Sequence, residues 1–508
     1  MLVSTRALAL EAGRDERVAL RGSGGSLSYS ALRTQAEGVA RHSAAWSGHD
    51  DDRSPYVALL ADWTPEFVAC FLGLASAGWA VGVLDSSWSD EELRGAVAQL
   101  NPCAVVVGDG HAAGGAVLAA DGWVATGQID QGWCVLTRGP SATPRPAPAA
   151  VADGAFYVGF TSGSSGRPKA FVRSHRSWWE SFERFATLCP IDPEGAVLVP
   201  GPLSSSHFMF GALHALHCGA TVELVASSEY SPEHVADRIS RFAPLAGLYV
   251  VPTMLAQHAH GAPPPGTSDP AYVFCAGARL EAVVRQRAAE RFPSTCLVEY
   301  YGASELSFVA IQVGRDGTPP GSVGRAFPGV DVSIRDDDDQ PVEDGAEGTV
   351  FARSELVFMG YRGQAPESGA RSIDDGWVTV GDRGSLDAEG FLSIAGRGSS
   401  LIITGGANVQ PEEVEEVIAA CDGIAACAVV GLADQRWGEL VCAAIVVAPH
   451  AEVRRSDIRR HVAARLARYK RPRRYVTVDG PLPVGRTGKV DREAVRRLVV
   501  DRQTRDLR

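Results

Sequence analysis

Between residues 55 and 310, short apolar runs alternate with longer stretches in which apolar residues recur every three or four positions. The runs at 57–61, 80–84, 155–160, 196–199, 221–225, 247–251, 272–275 and 296–300 read as strands. Helical patterns lie between most of them, at 65–77, 176–187, 232–242 and 281–292. That alternation predicts helices layered on mainly parallel sheets. A Pro/Ala-rich segment, 138–154, reads as a connector. From about 320 to 395 the texture changes to short alternating strands punctuated by Gly and Asp, as at 330–335, 348–352 and 391–394, and predicts a small antiparallel β-barrel. Beyond Arg397 a compact pattern follows: a strand at 401–403, a helix at 411–420, strands at 426–430 and 441–446, and a helix near 456–466. The expected fold class is therefore α/β. A large N-terminal domain of layered mixed or parallel sheets with helices and a small barrel precedes a small α+β C-terminal domain. The polar tail beyond Asp501 is expected to fray.

A chain of 508 residues holds about three or four domain-sized units, and 45% apolar residues suit ordinary globular packing. The net charge of −12 weighs against a nucleic-acid partner. Residues 398–508 carry 19 basic and 14 acidic side chains, about +5, against about −17 for the rest. That asymmetry is either a solubility pattern or a basic lobe that meets a phosphorylated ligand. The ten cysteines form no C-x-x-C pair, which indicates free thiols in a reducing cytoplasm and neither a zinc site nor a disulfide framework. No signal peptide is read in the first thirty residues, and the apolar stretch 67–84 reads as a buried helix and strand, so no membrane span is expected. Of 48 basic residues only Lys169, Lys470 and Lys489 are lysine, each within two residues of Gly or Pro in a loop-like segment. Codon usage accounts for the bias, yet a lysine kept against it points to places that need a compact ammonium.

The sharpest chemical signal is Thr161-Ser162-Gly163-Ser164-Ser165-Gly166-Arg167-Pro168-Lys169, placed after a strand and before a helix starting near Ser174. Backbone N–H groups and hydroxyls in such a loop approach phosphate oxygens closely, and Lys169 adds a point charge. The spacing is neither that of a Walker loop nor that of a nucleophile elbow.

This loop resembles the phosphate loop of the adenylate-forming superfamily, which includes acyl-CoA synthetases, nonribosomal adenylation domains and luciferases. Tyr301-Gly302-Ala303-Ser304-Glu305 resembles its Y-G-x-[ST]-E motif. Gly381-Asp382, Gly390-Phe391-Leu392 and Gly396-Arg397 resemble its ribose-binding and hinge region, and Gly485-Arg486-Thr487-Gly488-Lys489 its C-terminal lysine loop. The resemblance spans nearly the whole chain. It implies an N-terminal domain at 1–396, a hinge at 397–400 centred on Ser399, and a mobile C-terminal domain at 401–508. It also implies the roles. Thr161, Ser162, Gly163, Ser164, Ser165, Gly166 and Lys169 would hold the β- and γ-phosphates of ATP. Glu305 would help hold Mg²⁺, a hard cation suited to carboxylate and phosphate oxygens. Asp382 would accept from the ribose hydroxyls, with Arg397 nearby and Ser304 beside the nucleotide. Gly277, Ala278, Tyr300, Tyr301 and Gly302 would flank adenine. Lys489 would bridge the carboxylate and the α-phosphate, a fixed charge of the kind typically worth about 3–4 kcal/mol at a transition state.

The C-terminal segment is similar to that of aryl-CoA ligases of the chlorobenzoate type, which implies coenzyme A as acceptor. Gly405 and Gly406 would line the pantetheine tunnel, Trp437 or Tyr469 would stack on the CoA adenine, and Arg471 and Arg473 would pair with its phosphates. A solvated basic face is the competing reading of that run. His207, in Ser204-Ser205-Ser206-His207-Phe208, matches a gating position of such ligases or is a core histidine. Where amino-acid-activating relatives carry an aspartate, that stretch has none. Phe208, Met209 and Phe210 with Gly277 and Ala278 suggest an apolar acyl pocket. Two features depart from the pattern. Ser164-Ser165 stand where threonines are usual, and Gly398-Ser399-Ser400 stand where the hinge is usually acidic. A shift of about 1.4 kcal/mol between domain poses changes their populations about tenfold. The leading expectation is an ATP-dependent acyl-CoA ligase of specialised metabolism acting on a carboxylic acid or its adenylate. Thioesterification of a preformed adenylate, loading of a carrier protein, and a catalytically silent paralogue are the alternatives. A homodimer is compatible with all of them.

Overall fold

The computed structural model describes the chain except residues 1, 4–14, 45, 47–55, 89, 110, 130–131, 139–149, 163–167, 227–228, 230, 243–244, 260–267, 279, 315–316, 364–369, 398–401, 405–406, 410, 435–437, 450, 467, 486–489, 502–503 and 508. Its strands form three sheets. In the largest, Val18–Gly22, Thr221–Leu224, Ala196–Val199, Leu245–Val250, Tyr272–Cys275 and Cys296–Ala303 lie side by side in that order and run parallel. Every residue of Leu245–Val250 is buried, as an apolar run must be when helices cover both faces of its sheet.

At Cys296–Ala303 the direction changes. Ser307–Val313 folds back as an antiparallel partner, and the ladder continues antiparallel through Ser322–Ala326, Phe391–Arg397, Asp382–Leu386 and Gly348–Arg353. The antiparallel texture expected of residues 320–395 is present, and it is hydrogen-bonded to the parallel sheet as one continuous fifteen-stranded surface.

The second sheet has eight strands. Ala155–Ser162, Ala80–Leu84, Tyr56–Leu60 and Ala104–Gly108 form its parallel centre. Pro168–Ser174 and Gly360–Tyr361 extend one side antiparallel, Trp133–Arg138 and Trp123–Ile129 the other. The stretch 67–84 is a helix, Pro65–Ser76, followed by the strand Ala80–Leu84. Pro65 opens that helix and the Thr64 hydroxyl accepts from the Phe67 N–H, a start of the kind typically worth about 1 kcal/mol.

One core joins the two sheets. Helix His175–Leu188 turns Trp178, Phe182 and Phe185 inward at helical spacing, and helix Ser206–His217 answers with Phe210 and His214. Phe210 lies 5.0 Å from Phe182 and 5.5 Å from Phe185 between ring centroids. Burying each such side chain contributes about 1.5–3 kcal/mol.

The smaller C-terminal domain has a six-stranded sheet built on the antiparallel pair Ile424–Asp434 and Gly438–Val447. Pro411–Ala419, Arg455–Arg465 and Arg492–Val500 are its helices, and apolar clusters line both faces of the sheet. Among the described residues no helix is long and apolar enough to cross a membrane.

Two expectations need correction. Lys169 lies in the strand Pro168–Ser174, as the cross-strand partner of Thr161, and Lys470 ends the 3₁₀ turn Arg468–Lys470, so neither is in an irregular loop. The compact ammonium of Lys470 is taken up by both oxygens of Glu413 at 2.6 Å. The phosphate loop therefore joins two paired strands, and the following helix begins at His175 with Ser174 as its N-cap, as the sequence predicts.

Candidate active site

The site residues come from the ends of strands. Cys296–Ala303 delivers two adjacent tyrosines, and because successive strand side chains point to opposite faces they enter different environments. Tyr300 is 9% exposed and packs into the aromatic core, 4.8 Å from Phe308 and 5.7 Å from Phe185. Burial pushes its phenol well above the usual range, so the hydroxyl stays a donor. It meets Nδ1 of His207 at 2.6 Å, while Nε2 lies 2.9 Å from the carbonyl oxygen of Val250. A carbonyl only accepts, so Nε2 carries a proton, and in the singly protonated ring Nδ1 accepts from Tyr300. His207 is thus half-buried and fixed from both sides at the start of helix Ser206–His217.

Tyr301 faces the other way and donates its hydroxyl to Asp382 Oδ2 at 2.7 Å. Asp382 is buried and pairs across the ladder with Arg397, so two residues fifteen positions apart share one register. Tyr301 and Asp382 thus share a hydrogen bond, and the backbone of Arg397 stands opposite Asp382 in the ladder. Tyr300 reaches the site only through its backbone and its hydroxyl, because its ring is enclosed.

Glu305 is buried at the turn between Cys296–Ala303 and Ser307–Val313. Its Oε1 accepts from the Tyr361 hydroxyl at 2.8 Å, and its carbonyl accepts from the Phe358 N–H at 2.8 Å. Next to it, Ser304 Oγ lies 3.4 Å from Ser206 Oγ, which ties this turn to the helix of His207. Gly277 has φ 98°, the left-handed region that glycine tolerates, and follows the strand Tyr272–Cys275 with Ala278. Gly302 gives the Ser307 carbonyl its room: a Cβ there would lie 2.0 Å from that oxygen.

Three side chains that the sequence does not single out belong to this cluster. Tyr361 holds Glu305. Arg173 is 3% exposed and donates to Ser304 O at 3.4 Å and to Ser177 Oγ at 3.2 Å. Asp85 is 4% exposed, accepts from Ser204 Oγ and Ser87 Oγ at 2.6 Å each, and anchors the segment leading to His207. The partners that tie them to this cluster, Glu305, Ser304 and Ser204, lie far off in the chain, so no local motif marks them.

Thr161 and Lys169 stand opposite each other at the base of the phosphate loop, with Ser162 at the end of the first strand. Gly163, Ser164, Ser165 and Gly166 lie outside the described residues, as do Lys489, the hinge Ser399, and Gly405, Gly406 and Trp437. For Tyr469 the backbone alone is described, in the turn before Lys470. Arg471 donates to Leu466 O at 2.9 Å and to Ala463 O at 3.0 Å, closing the C-terminal end of helix Arg455–Arg465. Arg473 is exposed, and its N–H bonds Val441 O at 2.9 Å.

In chemical terms, a buried carboxylate sits on a turn that Arg173 ties to the hairpin carrying Lys169, and the strand leading into that turn holds a second buried carboxylate through Tyr301. Such a set suits a polyanion whose phosphates need cationic partners and whose ribose needs an acceptor. Among the described residues no three His, Cys, Asp or Glu side chains are grouped to hold a metal ion.

Comparison with known proteins identifies the family. Residues 9–362 match the AMP-binding enzyme family, and residues 413–489 match the AMP-binding enzyme C-terminal domain. The chain is 34% identical over 485 residues to the uncharacterized acyl–CoA ligase YhfT of Bacillus subtilis (strain 168), covering 92% of this chain and 94% of that one. It is 30% identical over 364 residues to the long-chain-fatty-acid–CoA ligase FadD13 of Mycobacterium tuberculosis (strain ATCC 25618 / H37Rv), 70% of each. Among solved structures, the amide bond synthetase McbA from Marinactinospora thermotolerans superposes with a TM-score of 0.82 at 28% identity, over 98% of this chain and 99% of that one. The chain belongs to the AMP-binding enzyme family, in its acyl-CoA ligase branch, whose members activate a carboxylic acid with ATP as the acyl-adenylate.

Proposed function

We propose that this enzyme converts a free carboxylic acid to its adenylate and passes the acyl group to coenzyme A, with the described cluster holding ATP. The observation that carries the reading is that Tyr301 bonds Asp382 and leads into the Ser304–Glu305 turn, which Arg173 ties to the hairpin where Thr161 and Lys169 are cross-strand partners. Asp382 takes the ribose, held in place by Tyr301. Glu305 fits Mg²⁺ as the single protein carboxylate beside phosphate oxygens and water, the usual way that ion is held. The ion would neutralise phosphate charge, and Tyr361 keeps the carboxylate aimed. Lys489 supplies the charge between carboxylate and α-phosphate. Gly405, Gly406, Trp437, Tyr469 and Arg473 form the CoA path as the C-terminal domain swings about Ser399. Arg471 joins them only by releasing the helix end that it closes. Domain limits at 396 and 401, a cytoplasmic setting and a role in specialised metabolism belong to the same reading.

A second reading changes only the acceptor. The likeness to an amide bond synthetase over nearly the whole chain, together with the engagement of Arg471 at the end of the preceding helix, favours an amine in place of the CoA thiol.

One experiment separates these readings. Pyrophosphate release is measured over a panel of acids, followed by product analysis with CoA, with a phosphopantetheinyl carrier and with an amine. Rapid pyrophosphate release and an acyl-CoA product are expected. Amide product without thioester establishes the second reading. Thioester formed only from supplied acyl-adenylate removes the first half-reaction from the assignment.

A further inference from the structure

Arg173 is a buried cation outside the motifs of the site. It sits on the strand Pro168–Ser174, four residues after Lys169, directly across from Tyr157 on Ala155–Ser162. Desolvating a guanidinium costs several kcal/mol unless charge and hydrogen bonds repay it. Here the repayment comes from two directions. On its own side, Nε donates to Ser177 Oγ and the Cζ stands 6.0 Å over the Trp178 ring. On the far side, a terminal nitrogen donates to the carbonyl of Ser304, and the charge of Glu305 acts on it through a dry interior. Burial lowers its pKa to about 10, still far above neutrality, so the charge persists. An apolar side chain would anchor the helix equally well. What a cation adds is a rigid, charged strut between the phosphate-loop hairpin and the Ser304–Glu305 turn, 131 positions away in sequence.

We propose that Arg173 is a positioning residue for adenylate formation, fixing the Ser304–Glu305 turn against the hairpin that carries Lys169. The inference rests on the assignment of Glu305 and Lys169 to nucleotide binding. Arg173 touches no reacting atom in this scheme. It sets the distance between two groups that grip opposite parts of one triphosphate.

The test uses the full-length enzyme with Arg173→Met, Arg173→Lys and Glu305→Gln in parallel. Pyrophosphate release from acid and MgATP is compared with thioester formation from synthetic acyl-adenylate, and MgATP affinity without acid is read by calorimetry. Arg173→Met is expected to lower kcat/KM for MgATP about tenfold, chiefly through KM, to weaken MgATP binding in calorimetry, and to leave the thioester step within about threefold. Arg173→Lys, which keeps the charge and loses the fork, is expected to recover part of that loss. Equal losses in both half-reactions, or no loss in either, overturn the proposal, since an arginine that only supports the fold moves both alike. If Arg173→Met does not fold, Ser177→Ala loosens the Nε anchor without removing the charge and must show the same split, or the proposal fails. Should Glu305→Gln leave pyrophosphate release intact, the nucleotide assignment itself is wrong, an outcome distinct from the failure of Arg173 alone.

Discussion

A neutral imidazole has one donor and one acceptor, and His207 uses both, on the Val250 carbonyl and the Tyr300 hydroxyl. Tyr300→Phe removes the donor without opening a cavity and leaves Nδ1 facing a ring edge. A neutral hydrogen bond of this kind is worth about 1 kcal/mol net. The expected outcome is a loss of about that size in urea unfolding, with a raised KM for the acid and little change in KM for MgATP. His207, Glu305 and Asp382 were legible because each sits in a local pattern. Tyr361 and Arg173 were not, because the contacts that define them span 56 and 131 positions and leave no trace in spacing. Tyr300 shows the converse: its motif marked it for the nucleotide, whereas strand alternation sends its ring into the core.

At the scale of elements, the hairpin of Cys296–Ala303 and Ser307–Val313 is the part that admits least change. Gly302→Ala would press a Cβ to 2.0 Å from the Ser307 carbonyl, where Ser307 already holds φ 62°. The turn carrying Ser304 and Glu305 must then move. A destabilisation of about 2–3 kcal/mol is expected by urea unfolding, with MgATP binding weakened further. Gly127→Ala is the control, since nothing lies within 4 Å of a Cβ at that strand position; it should stay within about 0.5 kcal/mol of the parent. The parallel strands could be read from sequence because burial on both faces makes them continuous apolar runs. Pro168–Ser174 could not. Its Lys169, Arg173 and Ser174 break the run, and the pairing that makes it a strand comes from the segment before the loop.

For the whole molecule, buried titratable groups set opposing slopes of stability with pH. Burial lowers His175 to about 4, His214 to about 3 and His258 to about 4. The unfolded chain binds protons near 6.5 that the folded one refuses, so this contribution is present above 6.5 and is lost as pH falls toward 4. Glu223 has the other sign. Burial raises it to about 7 although Arg21 and Arg238 pull it down. Its contribution is full below about 4.5 and disappears as pH rises through 7. Unfolding free energy should therefore fall as pH drops below about 6.5, and because one glutamate offsets only part of what three histidines contribute, the net slope stays upward between about pH 4.5 and 7. Glu223→Gln should gain on the parent as pH rises through that interval, read from urea curves at each pH; a constant difference would show that Glu223 stays ionised throughout.

The pairing of Thr161 with Lys169 also bears on how such a chain can vary. Residues inserted between 162 and 168 leave the ladder below them in place, so the tip can change length or composition while the ammonium keeps its side of the sheet. A slip of a single position between the two strands turns every side chain of the second one over and sends the lysine to the opposite face of the sheet. Lineages that diverge here should accumulate insertions and substitutions at the tip and almost none in the strands beneath it.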